Sequence, residues 1–171
     1  MARVGALTEL GQIENGIAQL CAGISALRMT GAQIMLPYFT GLLAEAHGKA
    51  RQVEEGLKMM TEAENMVADS GERWCLAELY RLRGELLLVR LDTQDRNEKE
   101  AEEYFCRALE IAQLQDAKSL ELRAAMSLGG LWKTQGKQVA ARPLLSDLYN
   151  WFTEGFDTPD LREARALIEQ M

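Results

Sequence analysis

With one histidine, three cysteines and three prolines in 171 residues, the chain has little of what most catalytic and metal-binding constellations are built from. The cysteines, Cys21, Cys75 and Cys106, stand 54 and 31 residues apart, odd in number and without a CxxC pair, so neither a disulfide framework nor a zinc site is indicated. They read as small apolar residues of helical stripes in a protein kept in a reducing, cytoplasmic compartment. Long apolar runs are missing as well. No stretch approaches the roughly 18 to 20 residues that a membrane helix needs, and MARVGALTELGQ lacks the apolar core of a secretion signal. Basic excess is also absent: 26 acids against 19 bases give a net charge of −7, so neither nucleic acid nor anionic membrane is expected as a partner.

What the chain has in quantity is Ala, Leu, Glu, Arg, Met and Gln, the composition of helices, while β-branched residues are sparse. Apolar residues recur at helical spacing, as in Leu79, Leu82, Leu86 and Val89, then Tyr104, Ala108, Ile111 and Leu114. The pattern predicts helices over 2–10, 13–29, 35–49, 52–69, 72–91, 98–115, 118–135, 138–153 and 159–170. An all-α chain of this length can bury roughly 70% of its unfolded surface as one domain.

Helices of such even length are the signature of a repeat, and a repeat is present. The small residues Gly16, Gly56, Ala101 and Ala141 are 40, 45 and 40 residues apart. Each is followed four residues later by a large one, Leu20, Met60, Phe105 and Leu145, and three after that by Gly23, Ala63, Ala108 and Leu148. Upstream, Ala44 and Gly129 precede their anchors by twelve residues, and Gly84 by five more than that. A small residue lets two helix backbones approach, and a large one a turn later fills the space beside it. Two connections, GERWCL (71–76) and DAKSLE (116–121), read as extending helices, and LDTQDRNEK (91–99) as an inserted polar loop.

The spacing resembles the tetratricopeptide repeat, whose first helix carries W-x2-L-G-x2-Y and whose second carries A-x3-F. Here the Trp slot holds Thr40, Tyr80 and Ala125. The Leu-Gly pair reads Leu43-Ala44, Arg83-Gly84 and Leu128-Gly129, and the Tyr slot holds His47, Leu87 and Trp132. Stretches such as LPYFTGLLAEAHG, GERWCLAELYRLRGELLL and LYNWFTEGFDTPDLREARALIEQ further resemble the C-terminal tetratricopeptide region of bacterial signalling ATPases. In that family an adenylate-cyclase-like or DNA-binding domain and an ATPase module precede the repeats. The catalytic motifs are absent: there is no GxxxxGK[ST] loop and no paired-aspartate cyclase pattern.

The resemblance implies a single right-handed α-solenoid over 1–171: a truncated repeat at 1–30, repeats at about 36–70, 77–115 and 122–155, and a capping helix at 158–170. Thr158 is expected to accept from first-turn amides of that last helix, with Pro159 at its first position. Leu161, Ala164, Leu167 and Ile168 would cover the last repeat, with Arg162, Glu163 and Glu169 facing water.

It implies, too, a non-catalytic protein-interaction scaffold, a regulatory or sensor arm without cofactor or metal. The partner would be a protein or peptide segment, in one version a domain of the same larger protein. The first helix of each repeat lines the concave face in such folds, which places Tyr38, Glu45, Lys49, Glu78, Arg81, Glu85, Arg123, Met126 and Lys133 along one groove. Gly41, Glu45 and Glu85 stand where a carboxylate clamp for peptide C-termini would want Lys and Asn, which argues against that ligand.

Two alternatives are open. The apolar N-terminal residues Ala6, Leu7, Leu10 and Ile13 could form a homodimer contact. His47 could serve a small hydrolase or metal enzyme, but it stands in the aromatic slot with no second ligand or nucleophile beside it, which favours packing. Trp74, Trp132 and Trp151, at helical spacing with apolar neighbours, are expected in the core, as are Met59, Met60 and Met66.

Overall fold

The computed structural model describes residues 12–91 and 94–171. The helix expected at 2–10, and with it Ala6, Leu7 and Leu10, lies outside the described residues. Among those described there are eight helices and no strand: α1 Ile13–Met29, α2 Leu36–Lys49, α3 Val53–Ser70, α4 Leu76–Val89, α5 Gln94–Leu114, α6 Lys118–Thr134, α7 Gln138–Trp151 and α8 Pro159–Glu169. None of them is long and apolar enough to cross a membrane.

The helices pack antiparallel with their chain neighbours, and α2, α4, α6 and α8 also touch in succession. Successive outer helices, α1, α3, α5 and α7, make little or no contact with each other. One layer is therefore crowded and the other splayed, which bends the stack into a solenoid with α2, α4, α6 and α8 on the concave side. The apolar core is correspondingly divided. One cluster joins α1 to α2 through Leu20, Ile24 and Leu43, and a second fills α2–α3–α4 through Met60, Leu79 and Leu82. A third centres on Phe105 with Leu87 and Leu128, and the last seats α8 through Leu161 and Ala164 on Leu122, Leu145 and Leu148.

The repeat anchors sit where helices meet. Gly16, Gly56, Ala101 and Ala141 are all buried, and so are the large residues one turn on, Leu20, Met60, Phe105 and Leu145. A Cβ on Gly56 would lie 2.8 Å from the Ala44 carbonyl oxygen, and one on Gly84 would run into the Phe105 ring. The turns between helices recur too. Arg51, Asp116 and Gly136 are all left-handed, and the amide two residues after Ala50 returns to His47, that of Ala117 to Ala112 and that of Lys137 to Trp132.

Several expectations are corrected. The segment 94–99 is not a loop but the first turns of α5, whose 21 residues absorb the insertion of the middle repeat. Asp95 favours the positive end of the helix, Gln94 bonds Glu98 at 3.3 Å, and the buried Asn97 amide donates to Arg90 O at 3.1 Å, tying the new helix start to the end of α4. Residues 71–75 do not extend α4. Gly71, with φ of 73°, ends α3, and α4 begins at Leu76. Thr158 does not accept from first-turn amides; its hydroxyl donates to Gly155 O at 2.7 Å. Among the described residues Trp74 and Trp151 are exposed, as is Cys21; Trp74 lies just before α4 and Trp151 at the end of α7.

Candidate functional site

The concave face holds a groove of about 710 Å³ reaching from α1 to α8. Eight of the nine residues expected to share a groove line it: Tyr38, Glu45 and Lys49 from α2, Glu78, Arg81 and Glu85 from α4, and Arg123 and Met126 from α6. Lys133 does not. It lies near the end of α6, and its ammonium donates to Gln170 Oε1 at 2.7 Å, just past the end of α8.

The centre of the groove is an ion-pair network strung across three helices. Glu78 is buried on α4, and Arg81, one turn along, grips it with two hydrogen bonds of 2.9 Å. Arg123 on α6 lies 3.5 Å from Glu78 Oε1 and donates through Nε to Asp160 Oδ2 on α8 at 2.6 Å. Ser127 on α6 donates to Glu85 Oε1 at 2.6 Å and accepts from Arg81 at 3.4 Å. Its proton is thus committed to a strut between α4 and α6. At the α2 end, Lys49 pairs with Glu45 at 3.0 Å.

Burial and charge together set the titration of these groups. Burial alone would raise the Glu78 carboxyl, but the Arg81 hydrogen bonds and the charges of Arg81 and Arg123 outweigh it and hold the group below the usual glutamate range. Arg81 is raised: burial opposes its charge, and Glu78 with Glu85 overcomes that. Tyr38 is pushed up by burial and by the neighbouring Glu78.

The remaining ionisable candidates offer poor nucleophiles. Burial pushes the Cys75 thiol up to about 11, and Cys106 upward as well. His47 is half-buried, with Nδ1 2.7 Å from Gln52 Oε1, in the turn where the Gln52 amide already returns to the His47 carbonyl. The ring locks the α2–α3 connection. No group of three His, Cys, Asp or Glu among the described residues is placed to hold a metal ion.

Ten lining residues lie outside the expected set, Ser127 and Asp160 of the ion-pair network among them, and two others matter for the open side of the groove. Glu163, read as facing water, is exposed but borders the groove, because α8 closes its end as a fourth inner helix. Gly130 lines the groove next to Gly129, and a Cβ there would meet nothing within 4 Å. Its position four residues after Met126 on α6, one helical turn along the same face, is the signal that could have found it.

No family model matches the chain. It is 32% identical over 116 residues to an uncharacterised protein of Rhizobium meliloti, covering 68% of this chain but only 11% of that protein, so the chain spans about a tenth of its relative's length. The crystal structure of a Podosopora anserina protein described as a kinesin light chain with nearly identical TPR-like repeats is similar with a TM-score of 0.67. The match covers 99% of this chain and 81% of that one at 14% identity. The fold is a TPR-like α-solenoid, an architecture typical of protein–protein interaction scaffolds.

Proposed function

We propose that the chain is a non-catalytic scaffold that holds a protein segment along the concave groove, as a regulatory or sensor arm of a larger bacterial signalling protein. The observation that carries this reading is the groove itself: about 710 Å³ of open, mixed lining crossing every inner helix, with its serine and cations already bound to carboxylates. Such a surface recognises shape and charge over many residues and has no preorganised centre for bond-making. The much greater length of the Rhizobium relative, of which the matched stretch covers 11%, and the resemblance of LPYFTGLLAEAHG and its fellow stretches to the repeats of signalling ATPases support the arm of a larger protein.

Reversing Arg81, Glu85 and Arg123 would not test this, because Arg81 and Arg123 hold the buried Glu78 and their loss disturbs folding. Gly130→Trp is the cleaner probe. It puts a large ring where a Cβ meets nothing, so it fills the groove without entering a seam. Pull-down from a bacterial lysate with wild type and Gly130→Trp, with Gly130→Leu as the milder block, should lose the groove-bound partner in proportion to side-chain size. Equal recovery of every partner by all three, with melting curves unchanged, overturns groove binding.

A further inference from the structure

The groove carries five carboxylates, Glu45, Glu78, Glu85, Asp160 and Glu163, against the three cations Lys49, Arg81 and Arg123. Every cation is spent on a carboxylate of the groove. Lys49 takes Glu45, Arg81 takes Glu78 with two bonds, and Arg123 takes Asp160. Two acids are left over. Glu85 has only the Ser127 hydroxyl and, at 3.5 Å, the far nitrogen of Arg81, and its side chain remains 44% exposed. Glu163 is exposed and has no ion pair among the described residues.

These acids do not stand alone. Phe39 and Leu42 line the groove towards α2, and Met126, Leu131 and Leu167 towards α8, so apolar walls flank the charged middle. From α2 to α8 there are three inner-helix steps of about 9 Å each, or about 27 Å, which about eight extended residues span.

We infer that the segment held there is basic: a short stretch of chain with one or two Lys or Arg side chains for Glu85 and Glu163, flanked by apolar residues for the two walls. This rests on the proposal that the groove binds a protein segment. An acidic segment would face a groove with two carboxylates in excess of its cations, and a wholly apolar one would desolvate them without compensation. The net charge of −7 adds long-range attraction for the same partner.

Selection from a phage-displayed library of random 12-residue peptides on the intact chain tests this without choosing a ligand in advance. Enriched peptides are expected to carry Lys or Arg between apolar positions. A labelled copy should lose affinity on Glu163→Gln with the melting curve unchanged, and about tenfold in all when Glu85→Gln is added, the size of a charge-assisted hydrogen bond, measured where circular dichroism shows the double variant folded because Glu85 also accepts the Ser127 strut. Enrichment of neutral or acidic peptides that Gly130→Trp abolishes would overturn the basic segment and leave groove binding standing. Enrichment indifferent to Gly130→Trp, or no enrichment, overturns both.

Discussion

Gly129 and Gly130 are consecutive on α6 and belong to different regions of the molecule. A Cβ on Gly129 would lie 2.7 Å from Leu145 Cδ1, in the seam between α6 and α7; one on Gly130 would meet nothing within 4 Å and point into the groove. The seam is held by volume. Leu122, Ala125, Leu145 and Leu148 are buried there and leave no room for a methyl group. The groove side is held by charge, with Arg123 and Ser127 of α6 bonded to α4 and α8 across open space. The solenoid thus uses close packing to fix each helix pair and polar struts to fix the spacing of its inner layer, which leaves one face free to receive a ligand.

The largest way to break this division is at the packed side. Phe105→Ala removes a fully buried ring that fills the gap beside Gly84, and should cost about 3–5 kcal/mol in chemical denaturation. A loss below about 1 kcal/mol would mean that the seams collapse readily and are not close-packed.

Next is the charged side, where Glu78→Gln leaves Arg81 in a half-closed site and should cost about 2–3 kcal/mol. The pH dependence gives the sign. The Glu78 carboxyl is held below its ordinary value in the folded chain, so its contribution is full above about pH 4.3 and is lost as the pH falls through its folded value. The stability gap between wild type and Glu78→Gln should therefore be constant near neutrality and close in acid. A gap that widens on acidification contradicts the network.

The glycines sharpen the comparison most directly. Gly129→Ala should destabilise by about 1–2 kcal/mol, since Leu145 must move to admit the methyl. Gly130→Ala, one residue away, should do the opposite and stabilise by about 0.5–1 kcal/mol, because alanine favours the helix and nothing obstructs it. Thermal melts of the two single variants suffice. Effects of the same sign would remove the distinction between seam and groove.

Much of the seam was legible in the sequence. Gly56 with Met60, Ala101 with Phe105 and Ala141 with Leu145 repeat a spacing of one helical turn, and a turn is a local property of the chain. That α2, α4 and α6 form the inner layer was implied by the resemblance to the tetratricopeptide repeat, and helical spacing then chose the residues on that face, eight of which line one groove. What escaped was whatever depends on a neighbour. Trp74 and Trp151 have apolar surroundings in sequence and open ones in space, and polar 94–99 reads as a loop until Asn97 is seen bonded to the end of α4.

The sequence by itself determined that this chain is helical, that its helices pair through small and large residues, and which faces those pairs bury, because side-chain spacing along a helix is set by 3.6 residues per turn. Only the tertiary structure decided which charges meet. Arg123 and Asp160 are 37 residues apart, Ser127 and Glu85 are 42, and their partnerships exist because the curvature of the stack brings successive inner helices level with one another. Curvature is a sum over every packed seam, so no local pattern states it, and with it comes the outcome that the cations of the groove are spent and Glu85 and Glu163 are left facing the open side.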